Sequence, residues 1–281
     1  MPTQGVHTVP HHISAKMCNG VMQSAKEGLK VGEGQHTSMI AKASRGQEGK
    51  RREGVPAGFA VVFEDSEIVI VNKNAGLATQ GGAGVVHSLD VELSRYLGHK
   101  AHLVHRLDKD TAGLIVVAKD SRAAAKWSAV LSQGQVKKEY IAVCFGYPVV
   151  RGMRRQSGTL ESQVASRARL LAATTHFQVE KTATLSVPST DDAVDLCVIR
   201  AVLGTGRTHQ IRLQLAQALC PVVADDKHGD FAQNRLVRKL KIKRLQLAAV
   251  RLDLPLEGKV RTFTVPLPPH IQSTLSLFNA R

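Results

Sequence analysis

The chain has 281 residues, 43% of them hydrophobic, which is enough for one large or two medium domains with a packed core. Lys and Arg total 38 against 23 Asp and Glu, and the net charge of +15 favours a polyanionic partner such as nucleic acid, although basic proteins without such partners exist. No apolar run reaches the roughly 18 residues of a membrane-spanning helix, which argues against a membrane protein. Four widely spaced cysteines predict neither a zinc site nor a disulfide framework and favour a reducing, intracellular compartment: Cys18, Cys144, Cys197 and Cys220.

Residues 1–54 are rich in Gly, Ser, Lys, His and Gln and show little apolar periodicity. This composition predicts a flexible basic tail. Few acids occur in it, as in an organellar transit peptide, but the first arginine is Arg45 and no apolar face is present. We therefore predict a tail over 1–54 and one folded domain over 55–281, with cytoplasm, nucleus and mitochondrion all left open as compartments.

The folded domain is predicted to begin with a β-hairpin, because two β-branched runs, FAVVFED and EIVIVNK, flank a polar turn at Asp65 and Ser66. The Gly-rich stretch NKNAGLATQGGAG follows and matches neither the P-loop nor the dinucleotide pattern, so we interpret it as a connector. Residues 88–97 have apolar positions at helical spacing behind a Ser88 cap, which predicts a short amphipathic helix.

Three histidines spaced three residues apart, His99, His102 and His105, prompt the question of a metal site. On an extended segment this spacing points alternate rings to opposite faces, and no cysteine or second carboxylate completes a site nearby. We therefore expect no metal.

The stretch HRLDKDTAGLIVVAKD places Asp108 between Arg106 and Lys109 and runs directly into the apolar segment 113–118. This order predicts a charged loop that leads into a buried strand. An arginine nearby keeps an aspartate ionised and available as a nucleophile or base. From the local sequence alone, a structural Asp–Arg pair explains the same residues.

Further elements follow in order. A helix SRAAAKWSAVLSQ is capped by Asp120 or Ser121 and stopped by Gly134, and VKKEYIAVCFG is predicted as an alternating strand. Residues 148–155, with three arginines, are expected to form a loop. SRARLLAATTHFQVEK, TATLSV and DLCVIRAVL are predicted as three successive strands of an antiparallel meander, with a polar turn at 188–192 between the last two.

The segment LGTGRTHQIRLQLAQAL predicts a Gly-Thr-Gly turn before a helix capped by Thr208. Arg207 and His209 would lie in the first turn of this helix and Arg212 one turn later. Backbone amides and guanidinium groups would then converge on an anion.

The run NRLVRKLKIKR, residues 234–244, carries six cations and no acid. Such a run can be one solvated face of a helix or strand, but in so basic a chain we favour contact with phosphates. Two further strands, LQLAAVRLDL and VRTFTVPLP, are predicted around a turn at 256–259.

Four blocks in this order resemble the RluA family of RNA pseudouridine synthases: FEDSEIVIVNKNAG, HRLDKDTAGLIVVAK, VKKEYIAVCFG and TGRTHQIRLQLA. They are distributed over residues 63–216. The resemblance implies an α+β fold, with a mixed, largely antiparallel β-sheet, flanking helices and an active cleft across the sheet. Departures from the usual pattern occur at Asn74, Ala112, Gln214 and Ala248, none of which is a chemical group in the mechanism.

The resemblance also implies roles for individual residues. Asp108 matches the catalytic aspartate that attacks the target uridine, and Tyr140 matches the tyrosine that stacks on the flipped base and helps to remove the C5 proton. Arg212 matches the arginine that pairs with the aspartate, while Arg106 matches one that holds the place of the flipped-out nucleotide. Because isomerisation consumes no water, redox equivalent or phosphate, no cofactor and no metal are expected.

The predicted function is uridine-to-pseudouridine isomerisation in structured RNA, ribosomal or transfer RNA, by a monomer. RNA contacts are assigned to eight cations: Arg106, Lys138, Arg207, Arg235, Arg238, Lys239, Lys241 and Lys243. Two alternatives stay open. One is a non-catalytic RNA-binding protein that retains the fold, and the other is a hydrolase that uses Asp108 on the glycosidic bond and releases uracil.

Overall fold

The computed structural model describes residues 58–82, 87–166 and 169–279. The predicted N-terminal tail lies outside these described residues. The strands within them are β1 Phe59–Glu64, β2 Ile68–Lys73, β3 His102–Leu103, β4 Ala112–Ala118, β5 Lys137–Phe145, β6 Val149–Val150, β7 Met153–Arg154, β8 Ser157–Ser166, β9 Arg169–Ser186, β10 Ala193–Leu203, β11 Leu247–Leu256 and β12 Lys259–Thr264. The helices are α1 Leu89–Leu97, α2 Ser121–Ser132, α3 Gln210–Gln217, α4 Phe231–Lys239 and α5 Pro269–Ser276.

Ten of these strands form one sheet, in the order β1-β2-β4-β11-β5-β10-β9-β8, with β12 paired to β11 and β3 to β4. All neighbours are antiparallel except β4 and β11, which run parallel over a short contact. At that contact the β-carbon of any other residue at Gly113 would lie 2.0 Å from the Ala249 carbonyl oxygen, so only glycine fits. The predicted mixed, largely antiparallel sheet with flanking helices is confirmed.

The centre of the sheet is covered on both faces. Along β5, Tyr140, Ala142 and Cys144 pack into one apolar cluster. Val143 and Phe145 pack into another on the opposite face. The side chains therefore alternate in direction, as a strand requires, but both sets are buried. Strand β4 is buried along its whole length, as predicted for the segment that follows the Asp108 loop.

Two predictions for the middle of the chain are wrong. The runs SRARLLAATTHFQVEK and TATLSV form a single strand, β9, because no turn residue separates them and both edges of the strand are paired. Its partner β8 was not predicted. Residues 148–155 are not simply a loop, since β6 and β7 form a hairpin around Arg151 and Gly152, which both have positive φ angles.

The residues at the helix caps agree with the sequence prediction at two of three positions. Asp120 caps α2 through its carboxylate, which accepts a hydrogen bond from the Ala123 amide at 2.7 Å. Ser88 stands at the cap of α1, but its hydroxyl donates to the Asp90 carboxylate instead. Thr208 was predicted to cap α3, yet the cap is His209, in the left-handed region with φ 54°. Arg207 and His209 therefore precede the helix rather than lie in its first turn.

None of the helices in the described ranges is both long and apolar enough to cross a bilayer.

Candidate active site

A cleft of about 450 Å³, called here the main cleft, opens between residues 104–111, strand β5 and residues 203–212. It is lined by all three predicted catalytic residues and by three of the predicted RNA-binding cations: Asp108, Tyr140, Arg212, Arg106, Lys138 and Arg207. The other five predicted cations do not line it, because they lie on or directly after helix α4. Residues from three separate segments of the sequence thus meet in one space.

The loop that carries Asp108 is fixed from both sides. The Thr79 hydroxyl donates to the Leu107 carbonyl at 2.6 Å and accepts from the Leu107 amide at 3.2 Å. The ammonium of Lys73, on β2, donates to the Lys109 carbonyl at 2.9 Å. Lys73 is fully buried, and this burial lowers its pKa to about 8. The backbone on each side of Asp108 is therefore held in place before any substrate arrives.

Arg212 connects two carboxylates. Its Nη1 donates to Asp108 Oδ2 at 3.0 Å, as the resemblance predicts. Its Nε and Nη2 donate to the two oxygens of Asp225 at 2.7 and 2.6 Å, which is a bidentate pair. Asp225 is 1% exposed and also accepts hydrogen bonds from the amides of Lys227 and His228. The guanidinium is consequently locked in the orientation that reaches Asp108.

The charges of this group follow from its hydrogen bonds. Burial alone would raise the pKa of Asp225, but the bonds from Arg212 and the two amides outweigh it and lower that pKa. Burial alone would likewise lower the pKa of Arg212, and the bonds to Asp225 and Asp108 reverse the direction. Both groups are ionised at neutral pH. Asp225 was not predicted, because nothing in the local sequence around it identifies Arg212, 13 positions earlier, as its partner.

Tyr140 lies on β5 beside Asp108 and is 6% exposed. Burial, together with the negative charge of Asp108, raises the pKa of Tyr140 well above its usual value. The group is therefore a neutral phenol in the free protein. Tyr140 lines the cleft, and an aromatic ring is a group on which a base can stack.

A pair of histidines lies against the second oxygen of Asp108. His209 Nε2 is 3.6 Å from Asp108 Oδ1, and His209 Nδ1 is 2.9 Å from His228 Nε2. Burial lowers the pKa of both rings, so both are neutral at neutral pH. The carboxylate favours a proton on His209 Nε2, which leaves Nδ1 to accept from His228. His228 was not singled out in the sequence.

Lys138 and His105 form another wall of the cleft. Lys138 is 9% exposed and makes no ion pair with any residue in the described ranges, and burial lowers its pKa. His105 Nε2 accepts a hydrogen bond from the Val116 amide at 2.9 Å. Burial, and then the charge of Lys138, lowers the pKa of His105 to about 3. A cation without a partner in such a place favours an anionic ligand.

The three evenly spaced histidines do not form a metal site. His99 is exposed, His102 lies on the short strand β3, and His105 is engaged with the backbone of β4. No group of three or more metal-ligating side chains is found among the residues that the structure describes.

Comparisons with known proteins point the same way as the geometry. A family model described as RNA pseudouridylate synthase matches residues 67–217. The ribosomal large subunit pseudouridine synthase C of Haemophilus influenzae is 30% identical over 227 residues, covering 76% of this chain and 67% of that protein. Its namesake in Rickettsia prowazekii is 32% identical over 184 residues, covering 60% of this chain but only 56% of that protein.

Solved structures support the fold. The human RNA pseudouridylate synthase domain containing 4 matches with a TM-score of 0.60 at 23% identity, covering 78% of this chain and 93% of that one. The human RNA pseudouridylate synthase domain containing 1 matches with a TM-score of 0.56 at 21% identity, covering 76% and 86%. The family model spans more than half of the chain. The chain therefore belongs to the RNA pseudouridylate synthase family, as its resemblance to the RluA members predicted.

Proposed function

We propose that this chain converts uridine to pseudouridine in structured RNA, with RNA of the large ribosomal subunit as its substrate class. Transfer RNA is the other class that the sequence left open. The names of the most similar relatives favour ribosomal RNA. That the enzyme works as a monomer is part of the proposal.

One observation carries the proposal. Asp108 stands in an open cleft with one carboxylate oxygen held by Arg212, which Asp225 in turn holds in position. Its other oxygen, Oδ1, has one ion-pair partner among the described residues, His209 Nε2 at 3.6 Å. A carboxylate that lines a cleft and has one oxygen fixed by a guanidinium is suited to nucleophilic attack.

The reaction breaks the bond between N1 and C1′ and forms one between C5 and C1′, while C5 loses a proton and N1 gains one. A base within a helical stack cannot be turned over in this way, so the uridine must be extruded, at a cost of a few kcal/mol. Tyr140 provides the stacking face for the extruded base. Lys138, Arg106 and Arg207 provide positive charge for its flanking phosphates.

The test is replacement of Asp108 by Asn, which keeps the shape of the side chain and removes its charge. We expect pseudouridine formation to fall by at least about 10³-fold while RNA binding changes little, because the group acts on the reacting atoms. Mass spectrometry of an unmodified large-subunit RNA transcript after incubation gives the product. The matched control is Asp191→Asn, an exposed aspartate in the turn before β10, which should leave the rate unchanged.

The same experiment separates the alternatives. A hydrolase would release free uracil, which the mass spectrum detects as a different product. A non-catalytic RNA-binding protein would yield no product with any large-subunit or transfer RNA. Full activity of the Asp108→Asn variant would overturn the proposed role of Asp108.

A further inference from the structure

A second cleft, of about 440 Å³, lies on the other side of the Asp108 loop. We call it the cationic cleft, and its charged lining, apart from Arg212, consists of Lys109, Asp110, Asp226, Arg238, Lys243 and Arg244. Lys109 and Asp110 follow Asp108 directly in the chain, and Arg212 lines both clefts. The catalytic loop and Arg212 are therefore the wall between the two spaces.

The cations of this cleft are exposed and uncompensated. Within the described ranges, Lys109, Arg238, Lys243 and Arg244 make no ion pair with any carboxylate. Four cations face two carboxylates, Asp110 and Asp226, so positive charge is in excess. Cations that lack partners within the protein and line a concave space are typical of a site for a polyanion.

The cationic cleft is also connected by hydrogen bonds to the residues that hold Arg212 in position. Helix α4, which carries Arg238, is attached through Asn234, whose side chain donates to the Asp225 carbonyl at 2.9 Å and accepts from the Ala224 amide at 2.8 Å. Gly229 permits this approach, since a β-carbon there would lie 2.2 Å from the Asp225 carbonyl oxygen. The same Asp225 fixes Arg212. The position of Arg238 is therefore set relative to Asp108 before RNA binds.

From these observations we infer that the cationic cleft binds the phosphodiester backbone of the RNA strand that delivers the uridine to Asp108. The inference rests on the proposed function and deepens it. A flipped nucleotide stays joined to phosphates on both sides, so the strand must pass beside the catalytic loop, and the cationic cleft is the charged surface on the far side of that loop. The contacts are to phosphates, which position the RNA without reading its sequence.

The cations of residues 234–244 form two groups, those that line the cationic cleft and those that do not. Arg238, Lys243 and Arg244 line the cleft, whereas Arg235, Lys239 and Lys241 are equally exposed but do not. From the sequence, all six cations were predicted alike to contact phosphates. The structure therefore offers a comparison at constant charge, with one Arg and one Lys removed from each group.

The experiment compares Arg238→Gln/Lys243→Gln with the control Arg235→Gln/Lys239→Gln. Binding of an unmodified large-subunit RNA transcript is measured over a range of salt concentrations. We expect the cleft pair to lose at least about tenfold in affinity near physiological salt, where charges beyond about 8 Å are screened, and the control pair less than about threefold. The slope of log K against log salt should become shallower by about 1.4 for the cleft pair, from two lost phosphate contacts.

Equal losses in the two pairs, or no loss in the cleft pair, would overturn the inference. Single-turnover pseudouridine formation at saturating RNA keeps this result separate from the proposed function. The unaltered chain should form pseudouridine under these conditions, whichever pair has lost affinity in the binding experiment. If the unaltered chain itself forms no pseudouridine, the proposed function fails, whatever the binding data show. Unchanged melting temperatures of both pairs establish that the fold is intact.

Discussion

The two clefts that share Arg212 use charge differently. In the main cleft the catalytic carboxylate belongs to a paired chain of contacts, from Asp108 through Arg212 to the buried Asp225. The three predicted RNA-binding cations that line this cleft have no ion-pair partner among the described residues. In the cationic cleft the cations are exposed and have no ion-pair partner among the described residues. Paired, buried charges fix a reactive group in one geometry, whereas unpaired, exposed charges are left for a ligand.

From this difference we expect the main cleft to determine the rate of the reaction and the cationic cleft to determine the affinity for RNA. Changes within the paired group should lower the rate at saturating RNA, and changes in the cationic cleft should lower affinity.

Asp225 is expected to be the most sensitive residue that the sequence did not indicate. Asp225→Asn removes the charge that holds Arg212, so Asp108 loses its oriented partner. We expect kcat to fall by about 10³-fold while the Kd for RNA stays within a few-fold, because Asp108 loses the oriented guanidinium that stabilises charge at the reacting group. Single-turnover kinetics and filter binding give the two quantities. A purely structural role would lower both together.

The control for Asp225 is Asp253→Asn. Asp253 also pairs with an arginine, Arg251, at 2.9 Å, but this pair lies on β11, lines neither cleft, and has an arginine side chain that is 40% exposed. We expect an effect on the free energy of unfolding of about 0–1 kcal/mol and none on kcat. If both substitutions lower kcat alike, the positioning role of Asp225 is refuted.

Tyr140→Phe tests whether the hydroxyl or only the ring is used. The phenylalanine keeps the stacking face, so the Kd for RNA should hold. If the phenolic oxygen takes part in removal of the C5 proton, as the resemblance implies, kcat should fall by about 10²-fold, the lower end of the range for a general acid or base. An unchanged kcat would assign Tyr140 to stacking alone.

His105, which lines the main cleft, makes the free energy of unfolding depend on pH. Its pKa of about 3 in the folded chain lies below the value of about 6.5 in the unfolded chain. Between these two values the unfolded state binds more protons, so the free energy of unfolding falls as the pH falls through this window. His105→Gln should flatten that dependence, as followed by urea denaturation from pH 7.5 to 4.5. His99→Gln, at an exposed position of the same trio, should not change it.

The sequence predicted those parts of the site that depend on local order. The loop before β4 follows from a charged cluster that runs into an apolar segment, and Asp108, Tyr140 and Arg212 follow from family blocks. Asp225 and His228 did not, because their roles depend on contacts across the fold rather than on neighbours in sequence. The left-handed cap at His209 was also missed, because threonine is a preferred N-cap residue and Thr208 directly precedes His209.

The fold shows the same limit. Separate strands were predicted where β9 is continuous, because continuity depends on the partners β8 and β10 that hold both edges. The six cations of residues 234–244 were recognised as a phosphate-binding run. Which of them line a cleft depends on the attachment of α4 through Asn234, and no local pattern reveals that.

The central claim is that Asp108 makes this chain a pseudouridine synthase acting on ribosomal RNA. The most direct test is a transcriptome-wide pseudouridine map of cells that lack the gene, supplied with either the unaltered chain or the Asp108→Asn variant. We expect defined pseudouridines in large-subunit RNA to disappear without the gene, to return with the unaltered chain and to stay absent with the variant. A map that does not change on loss of the gene, or that the variant restores, would contradict the claim.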